Sequence, residues 1–135
     1  MAVVVARVRS DAEIEAAVAS LGRDGSGGLL VMPDNFMKIH RARIVSLAAQ
    51  NNVPAIYQLP VNVRDGGLIS YGADFADVFR RAAPYVDRVL RGTMPSDLPV
   101  QMPIKYILAI NAKAAKALGL TIPPTLLVGA DEVIE

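Results

Sequence analysis

The residues that could engage a ligand stand where apolar runs stop. Asp34 follows Leu29-Leu30-Val31-Met32-Pro33, Tyr57-Gln58 close Pro54-Ala55-Ile56, and Ser70-Tyr71 end a run from Leu68 just before Gly72. In open α/β sheets such strand ends face the ligand crevice. There Asp34 could bind an amine or hydroxyl, Tyr57 offers a stacking face and Gln58 an amide. Ser70 and Tyr71 could present hydroxyls beside a close backbone approach at Gly72. Each also has a plainer use: Asp34 or Asn35 as a helix cap, Tyr57 as a half-buried core residue, Gly72 as a tight turn that ends the strand. The inventory is one of binding, not catalysis. The chain has no cysteine and one histidine. His40, beside Arg41 and Arg43 on a helix and far from any carboxylate pair, makes neither a metal site nor a triad and reads as a helix-face residue. No nucleophile elbow is present. Gly22, Gly25, Gly27 and Gly28 precede a strand, whereas a phosphate-cradling loop follows one. No enzyme activity, cofactor or metal is therefore expected.

With 135 residues, 53% of them hydrophobic and 20% charged, the chain can build one substantial core. A formal net charge of +1, with Lys and Arg scattered, gives no nucleic-acid footprint. Arg80-Arg81 suit a solvated helix face better than an acidic partner, and Asp74, Asp77, Asp87 and Arg88 suit surface pairs at helical spacing. No apolar run has the length of a membrane span. The start, MAVVVARVRSDAE, has too short an apolar run for an export signal, which would leave this chain, if it is the full product, in the cytoplasm.

Residues 2–8 read as a β-branched strand. Ser10-Asp11-Ala12-Glu13 fits a capping box that opens a helix to about Leu21. Leu29 to Met32 is a second strand, a helix runs from about Lys38 to Asn51, and Pro54 to Tyr57 is a third strand. Such alternation gives parallel strands with right-handed crossovers. Leu59 to Gly67 reads as a loop. Beyond it, Leu68 to Tyr71 is a strand, followed by a helix with apolar residues at Phe75, Val78, Phe79, Ala82, Ala83, Val86, Val89 and Leu90. That spacing predicts one buried face, and Gly92 stands where a helix ends. Ile104 to Ile110 is a further strand, Asn111 caps a helix to Leu118, and the tail holds at most one helical turn.

Two stretches together carry a resemblance to a known family. GGLISYGADFADVFRRAAPYVDRVLRGTMPSDLPVQMP with INAKAAKALGLTIPPTLL and ADEVIE, and upstream LLVMPDNFMKIHRARIVSLAAQNNVPAIY, resemble the carboxy-terminal part of ABC transporter substrate-binding proteins. The resemblance covers about Ser10 to Glu135. It implies a three-layer, Rossmann-like α/β fold, part of a two-lobed periplasmic-binding-protein architecture that closes on a small organic solute, such as an amino acid or an aromatic, and delivers it to an ABC permease. It implies a periplasmic or cell-envelope location. It also implies a truncated chain: residues 1–65 as a strand–helix unit of the second lobe, and 66–135 as a crossover with partial first-lobe elements. Strands from 68 and 104 would then lack sheet partners, and unpaired edges invite a homodimer. The alternative is an interaction homodimer that has lost solute binding. A signalling receiver is disfavoured, because Val8-Arg9-Ser10-Asp11 offers one capping aspartate rather than an acidic cluster.

Overall fold

The computed structural model describes residues 3–24 and 27–135. Ala2, at the start of the expected first strand, and Gly25 lie outside them. In chain order the elements are α1 (Asp11–Asp24), β1 (Leu29–Leu30), α2 (Asn35–Ile39), α3 (Arg41–Gln50), β2 (Ala55–Tyr57), α4 (Pro60–Arg64) and β3 (Ile69–Ala73). There follow α5 (Phe75–Leu90), a 3-10 turn at Pro95–Asp97, β4 (Tyr106–Asn111), α6 (Ala112–Ala117), α7 (Pro124–Val128) and β5 (Glu132–Ile134).

Among the described residues, five strands form one sheet in sequence order. β1, β2 and β3 run parallel, β4 turns antiparallel against β3, and β5 runs parallel to β4. It is a mostly parallel α/β sheet flanked by helices, as the strand–helix alternation requires. The core gathers Ile14 and Val18 of α1, Ile44, Val45, Leu47 and Ala48 of α3, and Val53, Ala55 and Tyr57. Ion pairs from Arg43 to Glu15 (3.1 Å) and from Arg64 to Glu132 (2.7 Å) tie α3 to α1 and α4 to β5. Ser10 and Asn111 cap as their types predict, while Glu13 takes the N–H one residue before the one a capping box uses. Ser10 Oγ accepts the Glu13 N–H (3.3 Å), Glu13 reaches back to the Arg9 N–H (2.6 Å), and Asn111 Oδ1 accepts the Ala114 N–H (2.9 Å).

Several expectations are corrected. Residues 3–8 are not in a strand, and Val3, Val4 and Val5 are exposed, because no strand among the described residues pairs with them. The helix expected from Lys38 to Asn51 is two, α2 and α3, meeting at His40. The loop from Leu59 contains α4, whose first turn Pro60 pre-shapes. Gly72 does not end β3 but lies inside it. The strands from 68 and 104 do not lack partners: Ile69–Ala73 pairs with Tyr106–Ile110 over five register positions. That removes the ground on which a homodimer was expected. The tail holds both a helical turn and a strand.

The largest departure is α5. The helix forms, capped by Asp74 and ended at Gly92, which takes the left-handed φ of 96°. Its apolar face is nevertheless largely open: α5 has no buried residue, Phe79 is 73% exposed, and Val78, Val86 and Leu90 only border a groove shared with Pro95, Leu98 and Val100.

Candidate functional site

Because β1, β2 and β3 are parallel, their carboxyl ends share one edge of the sheet, and antiparallel β4 begins at that same edge. Asp34, Gln58, Asp74 and Lys105 therefore form one rim. With neighbouring strands about 4.8 Å apart, it spans roughly 14 Å, enough for a solute of amino-acid size.

Asp34 is exposed at the rim and also caps α2, its Oδ1 accepting the Met37 N–H at 2.7 Å. The capping reading of Asp34 holds, and its Oδ2 makes no hydrogen bond among the described residues. Gln58 is half-buried and crosses directly over Gly72. A Cβ on Gly72 would overlap the Gln58 carbonyl oxygen and come within 2.8 Å of its Cγ. Position 72 thus needs glycine for a close crossing at the rim, where the sequence suggested a break.

Tyr57 and Ser70 lie elsewhere. They are register partners across β2 and β3 and are buried, at 2% and 0% exposure. The helix α4 packs across β2, β3 and β4, and the Asn111 amide of β4 donates to the Val63 carbonyl (3.2 Å). Tyr57 is part of the core cluster, its ring packed against Gly67, so it presents no stacking face at the rim. Neither hydroxyl has a hydrogen-bond partner among the described residues. Burial pushes the Tyr57 hydroxyl up to about 12. Tyr57 also borders a cavity of about 370 Å³ between α3 and α6, lined chiefly by Val45, Ala48, Leu68, Ala114 and Leu118.

Tyr71 points to the opposite face of β3 and is 56% exposed. It stacks on Tyr106 of β4, with ring centroids 5.5 Å apart and planes 16° from parallel. The two are diagonal neighbours on one face, since Tyr71 opposes Leu108 and Ala73 opposes Tyr106. Of the five residues singled out from sequence, the fold brings Asp34 and Gln58 to the rim and Tyr71 to the open face beside it, and holds Tyr57 and Ser70 below.

Sequence reasoning missed the neck between β3 and β4. Asp74 is not a surface residue but is buried. Its N–H donates to the Lys105 carbonyl (2.9 Å), its Oδ2 meets Lys105 Nζ (2.9 Å), and its Oδ1 caps α5 through the Asp77 N–H (3.2 Å). The Lys105 ammonium and then the Asp77 N–H hold the Asp74 carboxyl below the usual carboxylate range, and Asp74 in turn raises Lys105. Tyr106 and Lys105 carry no local sequence signal, because their partners are about thirty residues upstream. His40 is half-buried rather than a free helix-face residue: Nδ1 faces the Phe36 carbonyl (2.8 Å) and Nε2 faces Asp11 (3.2 Å). Among the described residues no cluster of three or more metal-ligating side chains occurs, and no helix is long and apolar enough to cross a membrane.

The model of one protein family, ABC transporter substrate binding protein, matches residues 1–134. No curated protein sequence matches. Among solved structures, a conserved domain protein from Vibrio cholerae O1 biovar El Tor is 27% identical with a TM-score of 0.80, over 92% of this chain and 42% of that one. An ABC domain in complex with L-Trp from Streptococcus pneumoniae is 30% identical with a TM-score of 0.79, over 94% of this chain and 44% of that one. A ligand-free, open substrate-binding protein with adhesive properties from Clostridium difficile, 21% identical with a TM-score of 0.63, shares the fold. The chain spans less than half the length of each of these structures.

Proposed function

The chain belongs to the family of ABC transporter substrate-binding proteins, and on that premise we propose that it supplies the strand-end rim of a non-enzymatic site for a small organic solute. One observation carries the reading: a structure 30% identical over 94% of this chain is a complex with L-Trp. The rim suits an amino acid. Asp34 receives the ammonium group and Gln58 a carboxylate or amide, while Tyr71, stacked on Tyr106, offers a flat aromatic surface to a planar side chain. Tyr57 and Ser70 support the rim from beneath. Closure of a second lobe over the solute shifts an open–closed equilibrium, and the closed form delivers the solute to an ABC permease outside the cytoplasm.

The chain contains no tryptophan, so the fluorescence of added L-Trp is read against no protein tryptophan background. A saturable change in its anisotropy, weakened at least tenfold in Asp34→Asn, is the expected result. If neither L-Trp nor any other natural amino acid, tested by calorimetry to millimolar concentration, binds this chain, the reading is wrong for the chain by itself.

A further inference from the structure

The cavity that Tyr57 borders lies at the end of the sheet away from the rim. Ala55 opens β2, Leu68 precedes β3 and Asn111 closes the antiparallel β4, and all three line it. The five residues of β3 put roughly 16 Å between this end and the rim. Nothing in the solute site proposed above uses it.

Its walls are the facing sides of α3 and α6, which meet through alanine rather than bulk: Ala48 and Ala49 on one helix, Ala114 and Ala117 on the other. Two helices so faced could close on each other, yet about 370 Å³ stays open between them. Interiors rarely leave a gap much larger than a water molecule, because the atoms lining it forfeit their contacts. An apolar cavity of about 150 Å³ takes up benzene, so in proportion this one accommodates a body of up to roughly fifteen non-hydrogen atoms.

The floor is buried and offers that body no polar partner. The Asn111 amide is engaged at both ends, donating to the Val63 carbonyl and accepting the Ala114 N–H, and the Tyr57 hydroxyl is shielded. The mouth is different. Asn52 and Lys113 are exposed there. Lys113 is the one charged residue of the lining, no acidic side chain accompanies it, and it makes no ion pair among the described residues. An apolar slot with a single free cation at its mouth matches a molecule that is apolar at one end and anionic at the other. We propose that this cavity is a second ligand site, for a hydrophobic monocarboxylate of about the size of octanoate. Its apolar body lies between α3 and α6 and its carboxylate meets Lys113. The site stands independently of the amino-acid reading of the rim.

The probes are octanoate and uncharged 1-octanol, each titrated into isotope-labelled residues 1–135 and followed through the backbone amides. Octanoate is expected to bind saturably with a Kd of about 1 mM or below, shifting the amides of Gly66 to Leu68 and of Lys113 to Leu118. Ala117→Leu fills the mouth from an exposed position, where the fold tolerates it, and should weaken octanoate at least tenfold. Lys113→Met should weaken octanoate about threefold more than it weakens 1-octanol, the share of an exposed ion pair. The proposal is overturned if those amides show no saturable shift up to about 10 mM octanoate, or if Ala117→Leu leaves binding intact. Equal losses of the two probes in Lys113→Met overturn the carboxylate assignment. Shifts confined to the rim or to residues 75–103 place octanoate on another surface and also overturn it.

Discussion

Replacing Gly72 by alanine tests the geometry of the rim directly. The added Cβ overlaps the Gln58 carbonyl oxygen, lies 2.8 Å from Gln58 Cγ and 3.2 Å from its carbonyl carbon. Relief requires β2 and β3 to part near their carboxyl ends, since the nearest atom is backbone and not the end of a flexible side chain. Overpacking of this kind costs about 1–3 kcal/mol, and the lower entropy of the unfolded alanine chain returns about 0.4–1 kcal/mol. A net loss near 1.5 kcal/mol follows. With an unfolding entropy of about 2.1 cal/mol/K per residue, 135 residues give a fall in Tm of about 5 °C by calorimetry or circular dichroism. Gly28→Ala is the control: its nearest neighbour, the Pro54 carbonyl oxygen, is at 3.4 Å, so Tm should hold or rise slightly. Adding Gln58→Ala to Gly72→Ala removes Cγ but leaves the carbonyl oxygen, so less than half the loss should return. The reasoning is refuted if Gly72→Ala melts within 1 °C of the parent, or if Gln58→Ala restores stability in full. The same variant is expected to weaken any solute held by Gln58.

Three further outcomes follow from the described contacts. Lys105 and the Asp77 N–H lower Asp74, and Arg64 lowers Glu132; their stabilisation is present above the unfolded carboxylate value of about 4 and is lost as pH falls through the folded values. Tm should therefore drop steeply below pH about 4, and less steeply in Asp74→Asn relative to its own neutral-pH value. Tyr57, raised to about 12, contributes stability that is intact below the unfolded value near 10 and lost as pH rises towards 12. Tyr57→Phe should flatten the alkaline melting profile and raise stability at neutral pH by up to about 1 kcal/mol, because an unpartnered hydroxyl is removed; a loss of stability would mean that water in the adjoining cavity satisfies it. Phe79→Asp should leave the Tm of this chain within about 1 °C, whereas Ile110→Ala, at a position 1% exposed, should cost about 2–5 kcal/mol.

What was legible in the sequence follows the range of the interactions involved. The caps at Ser10 and Asn111, the strand ends at Asp34 and Gln58 and the helical period of α5 are set within a few residues, and each is read from spacing. Pairings across the chain are not. β3 and β4 are separated by residues 74–105, so nothing near Leu68 or Ile104 announces that the two strands supply each other's missing neighbour. Tyr57 and Ser70 stand near strand ends, and on that position alone the sequence points to them as site residues. Strand position does not say which face is covered, and α4, read as a loop, covers theirs. Gly72 reads as punctuation in the sequence because glycine in a strand usually is. Its actual constraint comes from a residue on the neighbouring strand.

α5 marks the limit of periodicity most clearly. Apolar spacing states which face of a helix needs burial and is silent on what buries it. Here the need is plain in the spacing, and the helix hangs from a neck that stands at the strand-end rim. Ala73 opposes Tyr106, Asp74 clasps Lys105, and two residues before Asp74 the backbone of Gly72 carries Gln58. Gln58 on one side and the Tyr71–Tyr106 stack on the other therefore lie within one or two residues of the neck. If a second lobe docks on α5 and a solute sits on the rim, each changes the geometry that the other meets. Their binding free energies are then coupled by necessity and not by a separate device.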